Sequence, residues 1–135
     1  MKNGNRLKPI EIPMTAHDRR RVRRIVEAPD GESFELDLPT GTVLHPGQVL
    51  FERGERRYVV SAASEAVLVI TPRDLAEAAR VGHLIGNLHR DIDLQGTEVI
   101  ALADQALSDR LHRAGVSFHP DRRAFHGRAP GDHSH

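Results

Sequence analysis

The segment AVLVITPRDLAEAARVGHLIGNLH, residues 66–89, is the most informative part of the chain because it is expected to pass from a strand directly into a helix. Its first five residues read as a short β-type run. In the next four, Thr71 is the expected N-cap, Pro72 the first helical residue, and Asp74 replaces the Glu of a capping box. Apolar or small residues then recur at 75, 78, 79, 82 and 85, which predicts one narrow apolar stripe on a helix.

The end of this helix raises the main functional question. Gly86 and Asn87 are the residue types that most readily take the left-handed conformation that ends helices, and His89 follows them closely. An imidazole at this point is either a polar neighbour of a helix cap or a metal ligand on a rigid corner. Seven of the nine histidines lie between His83 and the C-terminus, so a site built from imidazole is expected in this half.

The second half of the chain alternates strands and helices in an informative order. After the run at 66–70 and the first helix, we expect two strands joined near Gln95-Gly96, a second helix from about Asp104 to Ala114, and a last strand at 116–118. The order strand, helix, strand, strand, helix, strand predicts a ferredoxin-like βαββαβ domain.

The first half has a different pattern, with short β-type runs separated by turn signals. Residues 34–38 alternate apolar and acidic side chains, the period of a half-buried strand. The predicted class is therefore α+β, with a small N-terminal all-β domain over 1–70 and the ferredoxin-like domain over 71–121. Gly, Pro, His and Arg dominate 122–135, which predicts a flexible, histidine-containing tail.

The composition argues against several classes of function. Lys plus Arg and Asp plus Glu number 19 each, and a formal charge of zero gives no general attraction to nucleic acid or an anionic membrane. Five arginines lie within 19–24, but without stacking aromatics they fit a solvated strand face or an acidic partner better than nucleic acid. With no apolar run near the ~20 residues of a transmembrane helix and no signal-peptide core, we expect a cytoplasmic protein.

Histidine is the residue type that remains for chemistry. The chain has no cysteine, and no nucleophile motif, phosphate loop or H-E-x-x-H, so no enzyme is expected. His133 and His135, two residues apart, either chelate a late first-row metal ion or form an unused polar terminus. In a symmetric dimer with His89 near the twofold axis, two imidazoles would converge, and the C-terminal pair could complete the coordination.

Several stretches occur in an order that is specific to one protein family. They are the Arg-rich segment 19–24, LPTGTVLHPGQVLF (38–51), VVSAASEAVLVI (59–70), HLIGNLH (83–89), ALSDRLHRAGV (106–116) and the histidine-bearing tail. Within HLIGNLH, IGNLH is similar to a Gly-Asn-x-His signature, which is strong in this order with the LP-x-GTVL block. Over nearly its whole length the chain resembles the urease accessory nickel chaperones of the UreE family.

The resemblance implies an N-terminal β domain that engages partners and a C-terminal ferredoxin-like metal domain. It implies a homodimer that carries Ni(II) between two copies of His89, with His133 and His135 completing the shell and Zn²⁺ or Cu²⁺ able to substitute in vitro. The implied partners are the urease accessory GTPase and apo-urease. Leu88 stands where the family often has Arg, and residues 101–105 lack the accessory histidines of some members. The alternative is a protein-interaction module whose histidines are incidental.

Overall fold

The structure, a computed structural model, describes residues 7–130 of the 135-residue chain. The chain divides into two compact units between Ala63 and Ser64. Within the described residues, the first unit has five strands and one short 3₁₀-helix, and the second has two α-helices and four strands. This confirms the predicted α+β class. No helix in residues 7–130 is both long enough and apolar enough to cross a membrane.

The strands of the first unit form two small sheets. They are β1 (Lys8–Met14), β2 (Arg23–Glu27), β3 (Ser33–Asp37), β4 (Val49–Arg53) and β5 (Arg56–Ala62). β5 lies between β1, to which it is parallel, and β4, to which it is antiparallel, while β2 and β3 form an antiparallel hairpin. Leu36 is buried and Phe34 half-buried against a core that includes Met14, Tyr58 and Val60, as the alternating pattern predicts.

Two features of the first unit differ from expectation. β1 is missing from the predicted strands because Pro9 and Pro13 interrupt its pattern; it is an edge strand, where residues without an N–H donor are tolerated. The segment 19–24 is not solvated throughout, since Arg19 is 2% exposed and its Nη1 donates to the Met14 carbonyl oxygen at 2.7 Å. Arg19 therefore ties the chain after β1 to the end of that strand.

The second unit has the predicted ferredoxin-like order. Its elements are β6 (Ser64–Ile70), α1 (Leu75–Asn87), β7 (Asp93–Gln95), β8 (Glu98–Leu102), α2 (Gln105–Arg113) and β9 (His119–Ala124). The four strands form one antiparallel sheet in the order β7-β8-β6-β9. The first strand of the unit thus lies between its third and fourth strands, which is the ferredoxin-like arrangement.

The core of this unit fixes the orientation of α1. Val81 and Ile85 are fully buried with side chains of β6, β8 and α2, whereas Leu75 is 86% exposed. Of the predicted stripe, Ile85 is buried and Ala78 and Gly82 are half-buried, but Leu75 and Ala79 are exposed, so the prediction is right only in part. Burying a large aliphatic side chain stabilises by about 1.5–3 kcal/mol, far more than burying an alanine, so the larger residues determine which face points inward.

The unit boundaries correct the predicted domain limits. β6 pairs with β8 and β9 and so belongs to the second unit, which places the boundary after Ala63 instead of after residue 70. The last strand is β9, not 116–118. The predicted flexible tail cannot start at 122, because β9 continues to Ala124 and Phe125 is completely buried. Sequence reasoning missed this because charged residues and proline conceal the strand.

Candidate metal-binding corner

Helix α1 positions the candidate site, and it begins later than predicted. The N-cap is Asp74 and not Thr71, since the Asp74 carboxylate accepts the Glu77 N–H at 2.8 Å. Glu77, 3% exposed, accepts the backbone N–H of Arg73 at 2.9 Å and its Nε–H at 3.1 Å. The backbone and side-chain bonds from Arg73 hold the pKa of Glu77 below its ordinary value despite its burial. These reciprocal bonds fix where the helix starts.

The helix ends in a Schellman motif in which His89 takes the left-handed position. The His89 N–H donates to the Gly86 carbonyl at 2.9 Å, and the Arg90 N–H donates to the Ile85 carbonyl at 3.2 Å. His89 has a φ of 59°, the one positive φ at a non-glycine residue in 7–130. The prediction that Gly86 and Asn87 take the left-handed conformation is wrong, because both residues are still helical. A left-handed L-residue costs roughly 1–2 kcal/mol, which surrounding contacts must offset.

Two contacts, both made by residues that follow His89, hold the turn. We call this turn the His89 corner and define it as residues 85–91. The Arg90 guanidinium donates to the carboxylate of Asp104, which is also the N-cap of α2. The Asp91 carboxylate accepts the Arg128 N–H at 2.7 Å. His89 itself is exposed. The corner is thus anchored to α2 and to the chain after β9, while His89 remains accessible.

Two carboxylates that follow His89, those of Asp91 and Asp93, are each bonded to a residue of the chain after β9. Burial tends to raise the pKa of Asp91, but the side-chain and backbone bonds from Arg128 outweigh it and the pKa is lowered. Burial acts in the same direction on Asp93, and there the bonds from the His126 ring and Gln95 amide again lower the pKa. Both groups are therefore ionised at neutral pH, and the charge of Asp91 is already paired with the Arg128 guanidinium.

The other described histidines do not complete a metal site with His89. In residues 7–130, no group of three or more His, Asp or Glu side chains is arranged to hold a metal ion. His83 is exposed on α1, with Nε2 3.3 Å from Asn87 Nδ2, and His126 Nδ1 lies 2.8 Å from the Asp93 carboxylate. The predicted ligands His133 and His135 lie outside the described residues.

Sequence reasoning missed the residues that support the corner. Two acids on one strand are usually solvated, so Asp91 and Asp93 gave no reason to expect partners in the C-terminal segment. Arg90 and Asp104 are fourteen residues apart, and their spacing contains no signal of contact. Asp104 was identifiable only through its other role, as the start of the second predicted helix.

Comparison with known proteins agrees with this architecture. Residues 6–63 match the family model "UreE urease accessory protein, N-terminal domain", and residues 65–135 match that of the C-terminal domain. The chain is 51% identical over 124 residues to the urease accessory protein UreE of Deinococcus radiodurans, covering 92% of this chain and 80% of the relative. The chain is 50% identical over 129 residues to the urease accessory protein UreE of Synechococcus sp. (strain JA-3-3Ab), and the match covers 96% of this chain and 87% of the relative. The urease accessory protein UreE of Nostoc punctiforme is 28% identical over 141 residues, and the match covers 98% of this chain and 92% of the relative.

Proposed function

Because this chain belongs to the UreE family of urease accessory proteins, we propose that it binds Ni(II) as cargo and delivers it during assembly of the urease active site. The family consists of accessory proteins and not of catalytic enzymes, which confirms the expectation that the chain is not an enzyme. The proposed function is therefore to carry a metal ion, and the functional residues are the metal ligands and the residues that hold those ligands in position.

The observation that carries the proposal is the conformation of His89. An exposed imidazole sits at a left-handed position, and the two residues that follow it, Arg90 and Asp91, are both anchored. Strained backbone that the surroundings hold in place is concentrated at functional sites. A corner that serves only to end a helix would be satisfied by glycine, with no strain. Imidazole nitrogen suits nickel, copper and zinc.

We further propose that two copies of His89 bind one ion across the twofold axis of a homodimer. An isologous interface duplicates every group near its axis, so one imidazole becomes two. Ile92 and Leu94, just after the corner, are 38% and 67% exposed, and exposed apolar side chains beside the site suit contact with a second copy. His133 and His135 would supply the remaining donors.

The proposed partners follow from the same assignment. The urease accessory GTPase receives nickel and passes it toward apo-urease, and the N-terminal unit is the part that engages partners. The names of the relatives associate them with urease, which supports this choice. We propose the cytoplasm as the location.

Nickel titration by calorimetry, with mass from light scattering, tests the proposal. We expect one ion per two chains, binding lost in His89→Ala, and weaker binding in a chain ending at Gly131. His83→Ala is the matched control, because it removes an exposed imidazole of helix α1, six residues before His89. It should bind nickel as the wild type does.

Two results would contradict the proposal. Binding that survives His89→Ala but disappears with the shortened chain would make the metal a property of the terminal imidazoles alone. A partner GTPase that binds equally with and without nickel, together with no stoichiometric nickel site, would favour an interaction module with incidental histidines.

A further inference from the structure

Three cationic side chains lie in one row at the end of the sheet formed by β1, β5 and β4. Lys8 of β1 lies opposite Arg56 of β5, and Arg56 lies opposite Arg53 of β4. Neighbouring strands are about 4.8 Å apart, so the three Cα atoms span roughly 10 Å. Side chains of residues opposite each other project from the same face of a sheet, where like charges are destabilising. The row therefore requires negative charge from another part of the chain.

The turn between β2 and β3 supplies some of this charge. Arg56 Nη1 donates to Asp30 Oδ2 at 2.8 Å, and Arg53 Nη1 donates to Glu32 Oε1. Lys8 is exposed and forms no ion pair within residues 7–130. Two ion-paired carboxylates thus face three cations, and Lys8 is the cation without such a partner in the described chain.

The position of Arg56 is fixed by the carboxylate to which it is bonded. The side chain of Asp30 is 16% exposed, and it also accepts the hydroxyl of the fully buried Tyr58 at 2.8 Å and the Glu32 N–H at 3.1 Å. Burial tends to raise the pKa of Asp30, but the bonds from Glu32 and Tyr58 outweigh it and the pKa is lowered. Asp30 is therefore ionised at neutral pH and holds Arg56 in one orientation.

Both arginines keep donors that a ligand can reach. The side chains of Arg53 and Arg56 are 54% and 48% exposed. A guanidinium has five N–H donors, and each of these ion pairs uses a single nitrogen. The Arg53 guanidinium also lies over the Phe51 ring, 5.2 Å from its centroid, which restricts its motion. Groups that are already held in place lose little entropy when a ligand binds.

The three cations line one cavity of about 540 Å³, which we call the Lys8 cavity. Small-molecule sites have volumes of roughly 300–1,000 Å³. The fork of a guanidinium matches the paired oxygens of a carboxylate or a phosphate. We propose that the Lys8 cavity binds a small molecule through a carboxylate or phosphate group, with Lys8 supplying the unpaired charge and Arg53 and Arg56 the oriented donors. The site lies in the first unit and shares no residue with the His89 corner, so it is independent of the proposed nickel carriage.

Glu55, in the turn between β4 and β5, lines the same cavity and opposes a bound anion. Two unit charges about 5 Å apart change a binding constant about fourfold in water. At low salt, we therefore expect Lys8→Gln to weaken oxyanion binding about fourfold for each unit charge of the ligand. Glu55→Gln should strengthen binding by a similar factor. Changes of opposite sign from two exposed positions are difficult to attribute to misfolding.

Titration of the isotope-labelled full-length chain with inorganic phosphate, and separately with succinate, tests the proposal by NMR at neutral pH and low salt. We expect saturable amide shifts at Lys8, Gly54 and Arg56, which line the cavity, with at least one of the two probes. Saturation by phosphate alone would identify a phosphate ligand, and saturation by succinate alone a carboxylate ligand. Saturation by both would mean that the cavity accepts either oxyanion.

Arg20→Gln is the matched control, because it removes one exposed positive charge of the same unit from outside the cavity. It should bind the probes as the wild type does. No saturable shift with either probe overturns the proposal. Equal weakening in Lys8→Gln and Arg20→Gln also overturns it, because binding would then follow the overall charge of the chain and not the Lys8 cavity.

Discussion

Replacing His89 by glycine is expected to stabilise the second unit while removing nickel binding. A left-handed L-residue costs roughly 1–2 kcal/mol, and glycine relieves that cost. The greater conformational freedom of glycine in the unfolded chain offsets about 0.5–1 kcal/mol of this stabilisation. The net gain is then about 0.5–1 kcal/mol, which at a urea m-value of about 2 kcal/mol/M raises the unfolding midpoint by roughly 0.3–0.5 M. Urea unfolding and nickel calorimetry on the same protein would measure both effects.

Two further variants isolate the backbone strain from loss of the ring. His89→Ala removes the imidazole but keeps a Cβ in the left-handed position, so it should show no such gain. Gly115→Ala is the converse substitution, because it adds a Cβ at a left-handed position. Gly115 has a φ of 73° and open space around it, so alanine should destabilise the fold by about 1 kcal/mol through backbone strain alone. If His89→Gly is no more stable than His89→Ala, the reasoning from the left-handed turn is wrong.

Asp104→Ala should lower the free energy of unfolding by about 1–2 kcal/mol in urea titrations, because it removes the cap of α2 and a partner of the corner; exposed Asp109→Ala should change it by less than about 0.5 kcal/mol. Arg19→Met should cost about 1–3 kcal/mol by removing a buried hydrogen bond from a charged donor to the Met14 carbonyl, which keeps only its bond from the Ala63 N–H, unlike exposed Arg20→Met. The lowered pKa of Glu77 means that its carboxylate stabilises the fold above its ordinary pKa of 4.5, and that this contribution is lost as pH falls through the folded value. Glu77→Gln should therefore lose less stability than the wild type between about pH 6 and pH 3.

The order of the elements could be predicted because it depends on short-range chemistry. The run 66–70 is apolar enough to read as a strand, and Asp104 begins a helix that does start at Gln105. Turn residues at Gln95-Gly96 separate β7 from β8, as expected. These signals act over a few residues, so a single sequence contains them.

The supports of the site could not be predicted because they join distant residues. Arg128 is 37 residues from Asp91, and His126 is 33 from Asp93. The left-handed residue was expected at Gly86-Asn87, the pair with the stronger intrinsic preference. Burial of Ile85 and the half-buried Leu88 against the core extends the helix past that pair and places the turn at His89. Tertiary packing therefore overrode local preference at the position of functional interest.

Leu88 connects this packing to nickel affinity. Its side chain is half-buried against the core of the second unit. Leu88→Arg should lose apolar contact and place a positive charge near the bound ion. At a separation of about 8 Å, one unit charge opposes Ni²⁺ by about 1 kcal/mol in water, and screening at physiological salt lowers this to about 0.4 kcal/mol. We expect nickel affinity to fall about twofold to sixfold, with the larger effect at low salt.

Leu88→Met separates the two contributions, because it keeps an apolar side chain of similar volume and adds no charge. Nickel calorimetry at low and physiological salt should show a salt-dependent loss in Leu88→Arg and almost none in Leu88→Met. Equal affinities of the two variants at low salt would mean that the bound ion lies too far from residue 88 to be affected by its charge. That result would place the metal away from the His89 corner, because adjacent residues cannot be separated by more than about 4 Å between Cα atoms.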